Sequence, residues 1–501
     1  MVSSQFSRLL AAEIDGRTQN TRYRQNEFHR LQSALTQHID EIQDAIQKDS
    51  GNAPEEVRAE LCLALKEIRT HYVTLSLEKD LEEEYRVVAG KDNADAKRGA
   101  GIVYIVPCTH TMFFSIVSAL SAALAAGNCI ILELTKNTMA LPAVLRRILP
   151  QALDADTFAI SEERPDAGFL SRVLMISQTG SAPLAERSLL SPANARTVAV
   201  VDRTADVAAA AEALVAARFA FGGRSTYSPD VVLVNEFAMK RFVEAVIQQA
   251  SRYLAGPNGE ARQGASNPRR FGPSASLLDA AHKDAGARVL VSGSGWGVVE
   301  VHDRNSSLLT KKVEEKVLIL HPVTSMDDAI DLSNSSGTLA ATYAFASPSA
   351  AKYITQFIDA SISWINHVPV DMLSNSSLIH FSPSIELTNS VGPAYPINTT
   401  PSTATRYTPA LLQVSRPQFV TETNKSALVN SILDTTDGRK SANAWREALA
   451  PLPSTGQRPG WKIGFFEQGL ITGGVITLAT LVATVSTLGW YTFSYVRRLR
   501  A

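Results

Sequence analysis

The stretch from Gly101 to Leu132 narrows the fold more than any other part of the chain. Gly101-Ile-Val-Tyr-Ile-Val-Pro107 is a short apolar run of strand-forming residues, Phe113 to Ala126 is apolar at helix length, and Cys129-Ile-Ile-Leu132 is a second apolar run. Uninterrupted apolar strands are those covered by helices on both faces, so this order predicts a parallel, doubly wound α/β sheet. The helix between them is too short to cross a bilayer and reads as a core helix. The rhythm returns further on, with a helix over Val207–Phe219, a strand over Val231–Val234 and a helix over Glu236–Tyr253. Val317–Leu320, Met326–Leu332 and Ala341–Phe345 continue it.

Other segments punctuate this pattern. Leu31, Leu35, Ile39, Ile42 and Ile46 recur at helical spacing, predicting an amphipathic helix that ends near Lys48-Asp49-Ser50-Gly51; a second helix runs from Pro54 to about Tyr72. Arg262–Pro273 is polar and loop-like, and Val289–Val301 reads as a hairpin turning at Ser292-Gly-Ser-Gly-Trp-Gly297. That glycine cluster is not Gly-x-Gly-x-x-Gly and no helix follows it, so it is a turn rather than a phosphate cradle. Ser382–Arg406 is rich in Ser, Thr, Pro and Asn and reads as a surface segment, and Thr435–Gly460, with Pro451, Pro453 and Pro459, reads as a linker.

The region beyond the linker differs from the rest. Between Glu467 and Arg497 no residue is charged, and Leu470–Phe493 supplies the ~20 residues that span a hydrocarbon core. Trp490, Tyr491 and Tyr495 stand near one end, and Arg497, Arg498 and Arg500 close the chain. Thr472, Thr477, Thr480, Thr484 and Thr487 are tolerable in lipid because their hydroxyls can bond back to helix carbonyls. A buried core helix is the alternative. The N-terminus shows no signal peptide, since Glu13 and Asp15 interrupt it before an apolar core forms. The expected organisation is residues 1–205, 206–375, a return segment and linker over 376–460, and a single-pass anchor over 468–495, with the bulk of the chain on the cytosolic face of the endoplasmic reticulum or another organelle.

The 501 residues carry a formal charge of -1, which leaves no basic excess for neutralising phosphates and argues against a nucleic-acid partner. The three cysteines, Cys62, Cys108 and Cys129, have no framework or zinc spacing and suit a reducing compartment. Asn305, Asn334, Asn375, Asn398 and Asn424 each open an Asn-x-Ser/Thr sequon; on a cytosolic chain these are coincidental, and occupied sugars would place the domain in a lumen. No metal cluster stands out, and His367 has no partner at ligand spacing.

Over about residues 10 to 375 the chain resembles the aldehyde dehydrogenases. Ile105-Val106-Pro107 and Ala125-Ala126-Gly127-Asn128 look like the opening of that family's cofactor domain. Thr179-Gly180-Ser181 is similar to its Thr-Gly-Ser turn, Asp202 and Ala205-Asp206 to the acidic stretch before the nucleophile helix, and Ile365-Asn366 to a later Val-Asn pair. Glu314-Glu315, then Asp328-Ala329-Ile330 and Asn334-Ser335, track the Glu-x-Phe motif and the segment after it. With the C-terminal anchor, the resemblance is to the membrane-anchored fatty-aldehyde, class 3-like branch. It implies doubly wound parallel sheets in a cofactor-type and a catalytic-type domain, NAD or NADP as cofactor if the chain is active, and a homodimer.

The family's chemistry is not matched. Phe221-Gly-Gly-Arg-Ser-Thr-Tyr-Ser-Pro-Asp230 resembles the nucleophile loop Asn-Ala-Gly-Gln-Thr-Cys-Ile-Ala-Pro-Asp, but Thr226 stands where the thiol belongs, and no cysteine lies beyond Cys129. A threonine hydroxyl is a far weaker acid than a thiol and needs a strong base beside it. The family's base lies in Leu-Glu-Leu-Gly-Gly; the corresponding Ser191–Thr197 contains no acid. Thr109 aligns with the oxyanion-binding asparagine, a donor generally worth about 2.7–4 kcal/mol in the transition state. Glu133 aligns with the lysine that holds the adenosine ribose. Gly180, Ser181 and Glu315 keep the family's residue types at cofactor-contact positions, but the Phe and Gly-Pro after Glu315 are missing. Cys108, beside Thr109 and His110, reads as a small residue at a strand end rather than a replacement nucleophile.

Three functions stand as expectations. The first is a membrane-anchored, catalytically defective protein that acts as a scaffold, regulator or accessory factor, or holds a hydrophobic aldehyde or a pathway enzyme. The second is an active oxidoreductase with reassigned residues in lipid or lipophilic secondary-metabolite biosynthesis. The third is a different reaction, hydrolysis or dehydration, in the inherited pocket.

Overall fold

The computed structural model describes residues 6–91, 98–179, 188–191, 194–255, 277–293, 295–335, 337–374, 418–434, 437–457 and 465–499. Two compact units result, Met1–Leu452 and Pro453–Ala501.

The first unit is built on two sheets. Five strands, β1 (Ile102–Val106), β2 (Cys129–Glu133), β3 (Phe158–Ser161), β4 (Leu174–Ser177) and β5 (Ser188–Leu190), lie in the order β3-β2-β1-β4-β5 and pair in parallel throughout. The other sheet holds β6 (Thr197–Val201), β7 (Val231–Asn235), β8 (Ala287–Gly293), β9 (Trp296–Val301), β10 (Lys316–Val323), β11 (Leu339–Phe345), β12 (Ala360–Ile365) and β13 (Gln418–Phe419). Their order is β13-β12-β11-β6-β7-β10-β9-β8, parallel except for β8 against β9. That exception is the hairpin read from sequence, with its turn inside the glycine cluster. The parallel, doubly wound expectation holds for both sheets. Strand order reverses between β1 and β4 in the first, which opens a crevice at their carboxyl ends.

Burial follows composition. All five residues of β1, β6 and β7 are buried, as apolar runs between helical layers should be. The helix Met112–Ala125 is buried almost all round, so it is a core helix. It packs on Pro54–Val73, whose Leu61, Cys62, Leu63, Ala64 and Leu65 are all buried.

The structure departs from the sequence reading in three places. The early helix is two helices, Thr21–Gln37 and Ile39–Ser50, broken at His38. β6 precedes the boundary at 205 but pairs with β7 and β11, so it belongs to the second sheet. The span 435–460 is not simply a linker: Gly438–Leu449 is a helix that packs with Asn424–Leu433 and with Pro54–Val73. Trp445 there stacks against the Arg58 guanidinium at 5.6 Å. Beyond it, Gln32 and Arg69 hold the carbonyl of Ala450 at 2.8 and 2.5 Å, and Leu452 N–H donates to Gln32 Oε1 at 2.9 Å.

The second unit carries the helix Phe465–Leu499, long and apolar enough to cross a membrane by length and composition. None of the helix's apolar window is buried, which fits the span read from sequence better than a core helix. Thr477, Thr480, Thr484 and Thr487 all donate to carbonyls three or four residues back, as the sequence reading requires for an apolar medium.

Candidate active site

The loop that holds Thr226 is fixed from beneath by an ionic cluster. Arg218 lies at the end of the helix Val207–Phe219 and is fully buried. Its guanidinium donates to the carbonyls of Gly223, Val313 (2.8 Å) and Pro229 (3.3 Å), and stands 3.8 Å from Asp230. Burial pulls its pKa down to about 10, against the opposing pull of Asp230. Asp230 in turn accepts from Thr197 N–H at 2.8 Å, Val313 N–H at 2.9 Å and Lys312 Nζ at 3.0 Å. Thr226 is 7% exposed, and its carbonyl accepts from Lys312 Nζ at 2.7 Å and Thr197 Oγ1 at 2.8 Å. Gly223 has φ 70°, and a Cβ there would meet the carbonyl oxygens of Glu315 and Arg218 at 2.7 and 2.8 Å, so only glycine fits. Phe221, at φ 48°, is held in the left-handed region by Glu56, whose Oε1 accepts its N–H at 3.0 Å.

Facing this loop is the segment after β1. Thr109 is exposed there. Thr111 has φ 41° and donates to the carbonyl of Ser374 at 2.6 Å; His110 Nε2 donates to that of Leu373 at 2.9 Å. Burial, with Arg224 close by, lowers the His110 pKa to about 4. The two loops, the end of Ile39–Ser50 and the start of the helix Ala140–Ala152 enclose a cavity of about 70 Å³. Thr109, His110, Phe221, Arg224 and Glu60 line it; Thr226 does not. Cys108, Cys62 and Cys129 are buried thiols outside any disulfide, and Cys108 Sγ donates to the carbonyl of His110 at 2.8 Å. Ser191–Thr197 contributes Arg196 instead of an acid, and it donates to the carbonyl of Leu309.

The β1/β4 crevice offers a poor seat for a dinucleotide. Glu133, at the end of β2, accepts from Tyr104 OH at 2.7 Å and pairs with Arg164 at 3.1 Å. The charge-reversed residue is thus satisfied within the protein, and an anion stands where the resemblance requires a cation for the ribose. Glu315 accepts from Leu277 N–H at 3.2 Å, at the start of the helix Leu277–Lys283. Gly180 and Ser181 lie outside the described residues. With Glu133 in place of a cation, the residues present do not fit the family's ribose site for NAD or NADP.

The resemblance sets Thr109 and Thr226 in one site; the cavity takes in Thr109 without Thr226, and it brings in Glu60, which no motif marks. In the sequence Glu60 is one acid directly before the apolar run Leu61–Leu65.

Two wound sheets, with the Phe221–Asp230 loop following the helix Val207–Phe219, are the architecture expected of the family the sequence resembles. Residues 11–377 match the aldehyde dehydrogenase family, and the chain belongs to it. It resembles the class 3 members. It is 25% identical to mouse aldehyde dehydrogenase family 3 member B2 over 367 residues, 66% of this chain and 73% of that one. To rat family 3 member B1 it is 24% identical over 364 residues, 66% and 75% of the two chains. Among solved structures, Staphylococcus aureus AldH superposes with a TM-score of 0.58 at 17% identity, covering 75% of this chain and 87% of that one. An NAD-dependent benzaldehyde dehydrogenase from Corynebacterium glutamicum gives 0.57 at 17%, covering 71% and 83%. At these identities the superpositions speak to fold alone.

Proposed function

We propose that this is a membrane-anchored aldehyde dehydrogenase-like protein without thiol-based oxidation, serving as a scaffold, regulator or accessory factor on the cytosolic face of an organelle. The observation that carries it is Thr226, buried in the nucleophile loop with its carbonyl clamped by Lys312 and Thr197. A hydroxyl there needs a base, and Ser191–Thr197 supplies none. Glu133, already paired with Arg164, adds a second loss at the cofactor crevice. A homodimer and a hydrophobic aldehyde or pathway enzyme as partner belong to the same reading.

Calorimetry of the full chain in detergent tests it. NAD and NADP are expected to bind at millimolar levels or not at all, with no turnover of a long-chain aldehyde. Micromolar binding with turnover overturns the reading in favour of an active oxidoreductase with reassigned residues. Thr226→Cys is expected to restore no measurable aldehyde oxidation, because the base is missing too; recovery would mean that a base lies elsewhere.

The anchor is tested separately. A chain ending at Gln457 keeps Leu452 and its clasp, and is expected to move from the membrane pellet to the soluble fraction, while the full chain resists carbonate extraction. A truncated chain that stays in the pellet would sink the anchor.

A further inference from the structure

We propose that the cavity between the 107–111 and 221–224 loops binds a small primary amine as its ammonium ion, with Glu60 as the counter-charge. Glu60 lies on the helix Pro54–Val73 and is 1% exposed. Its Oε1 accepts the N–H groups of Phe113 at 3.0 Å and Phe114 at 3.3 Å, in the first turn of Met112–Ala125. That fixes the carboxyl group in the cavity wall. Oε2 accepts no hydrogen bond from the described residues, and none of their cations pairs with it. A buried carboxylate without a counter-charge is costly, and burial pushes the Glu60 pKa up to about 7.

The other walls select the ligand. Met112, Met139, Leu141 and Phe221 offer an apolar lining for a stem. Asp49 is already committed, its two oxygens accepting the N–H groups of Ala140 at 2.8 Å and Leu141 at 2.7 Å. His110 is held neutral and donates away from the cavity, to Leu373. Arg224 is exposed. A ligand carboxylate or phosphate would set like charge against Glu60, and a carbonyl would leave Oε2 unpaired. An ammonium group brings both donors and the missing charge. The volume of about 70 Å³ holds a few waters, or a stem and head of ~5 heavy atoms. The site stands whether or not the dinucleotide crevice functions, so its failure and that of the defective-enzyme reading are separable.

The test is calorimetry of butylamine and butan-1-ol with the full chain in detergent. Between pH 6 and pH 8 His110, lowered to about 4, stays neutral, while Glu60, raised to about 7, titrates inside the interval. Butylamine affinity is expected to rise about tenfold across that interval, with proton release on binding, as the carboxylate fraction grows. Butan-1-ol is expected to bind at least ~10-fold more weakly, because it brings no charge. Glu60→Gln is expected to abolish amine binding. Equal affinity for amine and alcohol, no pH dependence in the wild-type chain, no saturable amine binding, or unaltered binding by a folded Glu60→Gln chain would each overturn the proposal.

Discussion

Replacing Arg218 with methionine is expected to lower the unfolding free energy by about 3–5 kcal/mol, among the largest losses a single substitution can cause in this fold. The aliphatic stem is roughly conserved, so the loss is not a cavity effect. What disappears is the group that three carbonyls, of Gly223, Pro229 and Val313, share in a site with no solvent. Each orphaned carbonyl forfeits its desolvation compensation, on the order of 1–3 kcal/mol, part of which relaxation recovers. Asp230 also loses one of its two cations, keeping Lys312. Chemical denaturation of the full chain in detergent reads the effect, with Arg164→Met, on a half-buried pair, as the milder control. A loss below about 1 kcal/mol would show that the loop is held by packing alone.

Glu60→Gln is expected to stabilise the protein at pH 8, by about 3 kcal/mol, and to leave it unchanged near pH 4. The carboxyl pKa rises from 4.5 to about 7 on folding because burial disfavours the charged form. Between those values the folded state holds a proton that the unfolded chain releases. Stability from this group is therefore complete below pH 4.5 and drains away as pH rises through 7. At about 1.4 kcal/mol per tenfold change, that interval amounts to roughly 3 kcal/mol. Glutamine keeps an acceptor for Phe113 and Phe114 but never ionises, so it escapes the penalty. Denaturation midpoints of both proteins from pH 4 to pH 8 check the claim, and parallel curves would refute it. The same substitution removes the proposed amine site, so binding and stability would move in opposite directions, which loss of folding cannot imitate.

The sheets are legible in the sequence because their strands are apolar on both faces. Val207–Phe219 is legible to the residue, since Asp206 caps its first turn and the next strand begins beyond Pro229. The break at His38 is not, because Leu35, Ile39 and Ile42 keep helical spacing across it. Gly438–Leu449 is hidden by its neighbours: Pro451, Pro453 and Pro459 suggest a linker, while a short polar helix needs only Ala444, Trp445 and Ala448 on one side. At the site, the missing thiol and the reversed charge at Glu133 are visible. Arg164, which answers Glu133 from another strand's connection, is not, since nothing local marks a pair 31 positions apart. Glu60 escapes for a related reason: an acid in an apolar helix shows its environment only when the facing helix start arrives from 53 positions away.

The clasp on Ala450–Leu452 bears on how a tethered protein carries load. If the Phe465–Leu499 helix is held in lipid, a pull along the chain would meet Gln32, on Thr21–Gln37, and Arg69, on Pro54–Val73, before it reached either sheet, and these two helices would act as a strain relief. A protease cutting just beyond Leu452 would then shed an intact, freely diffusing body rather than a damaged one.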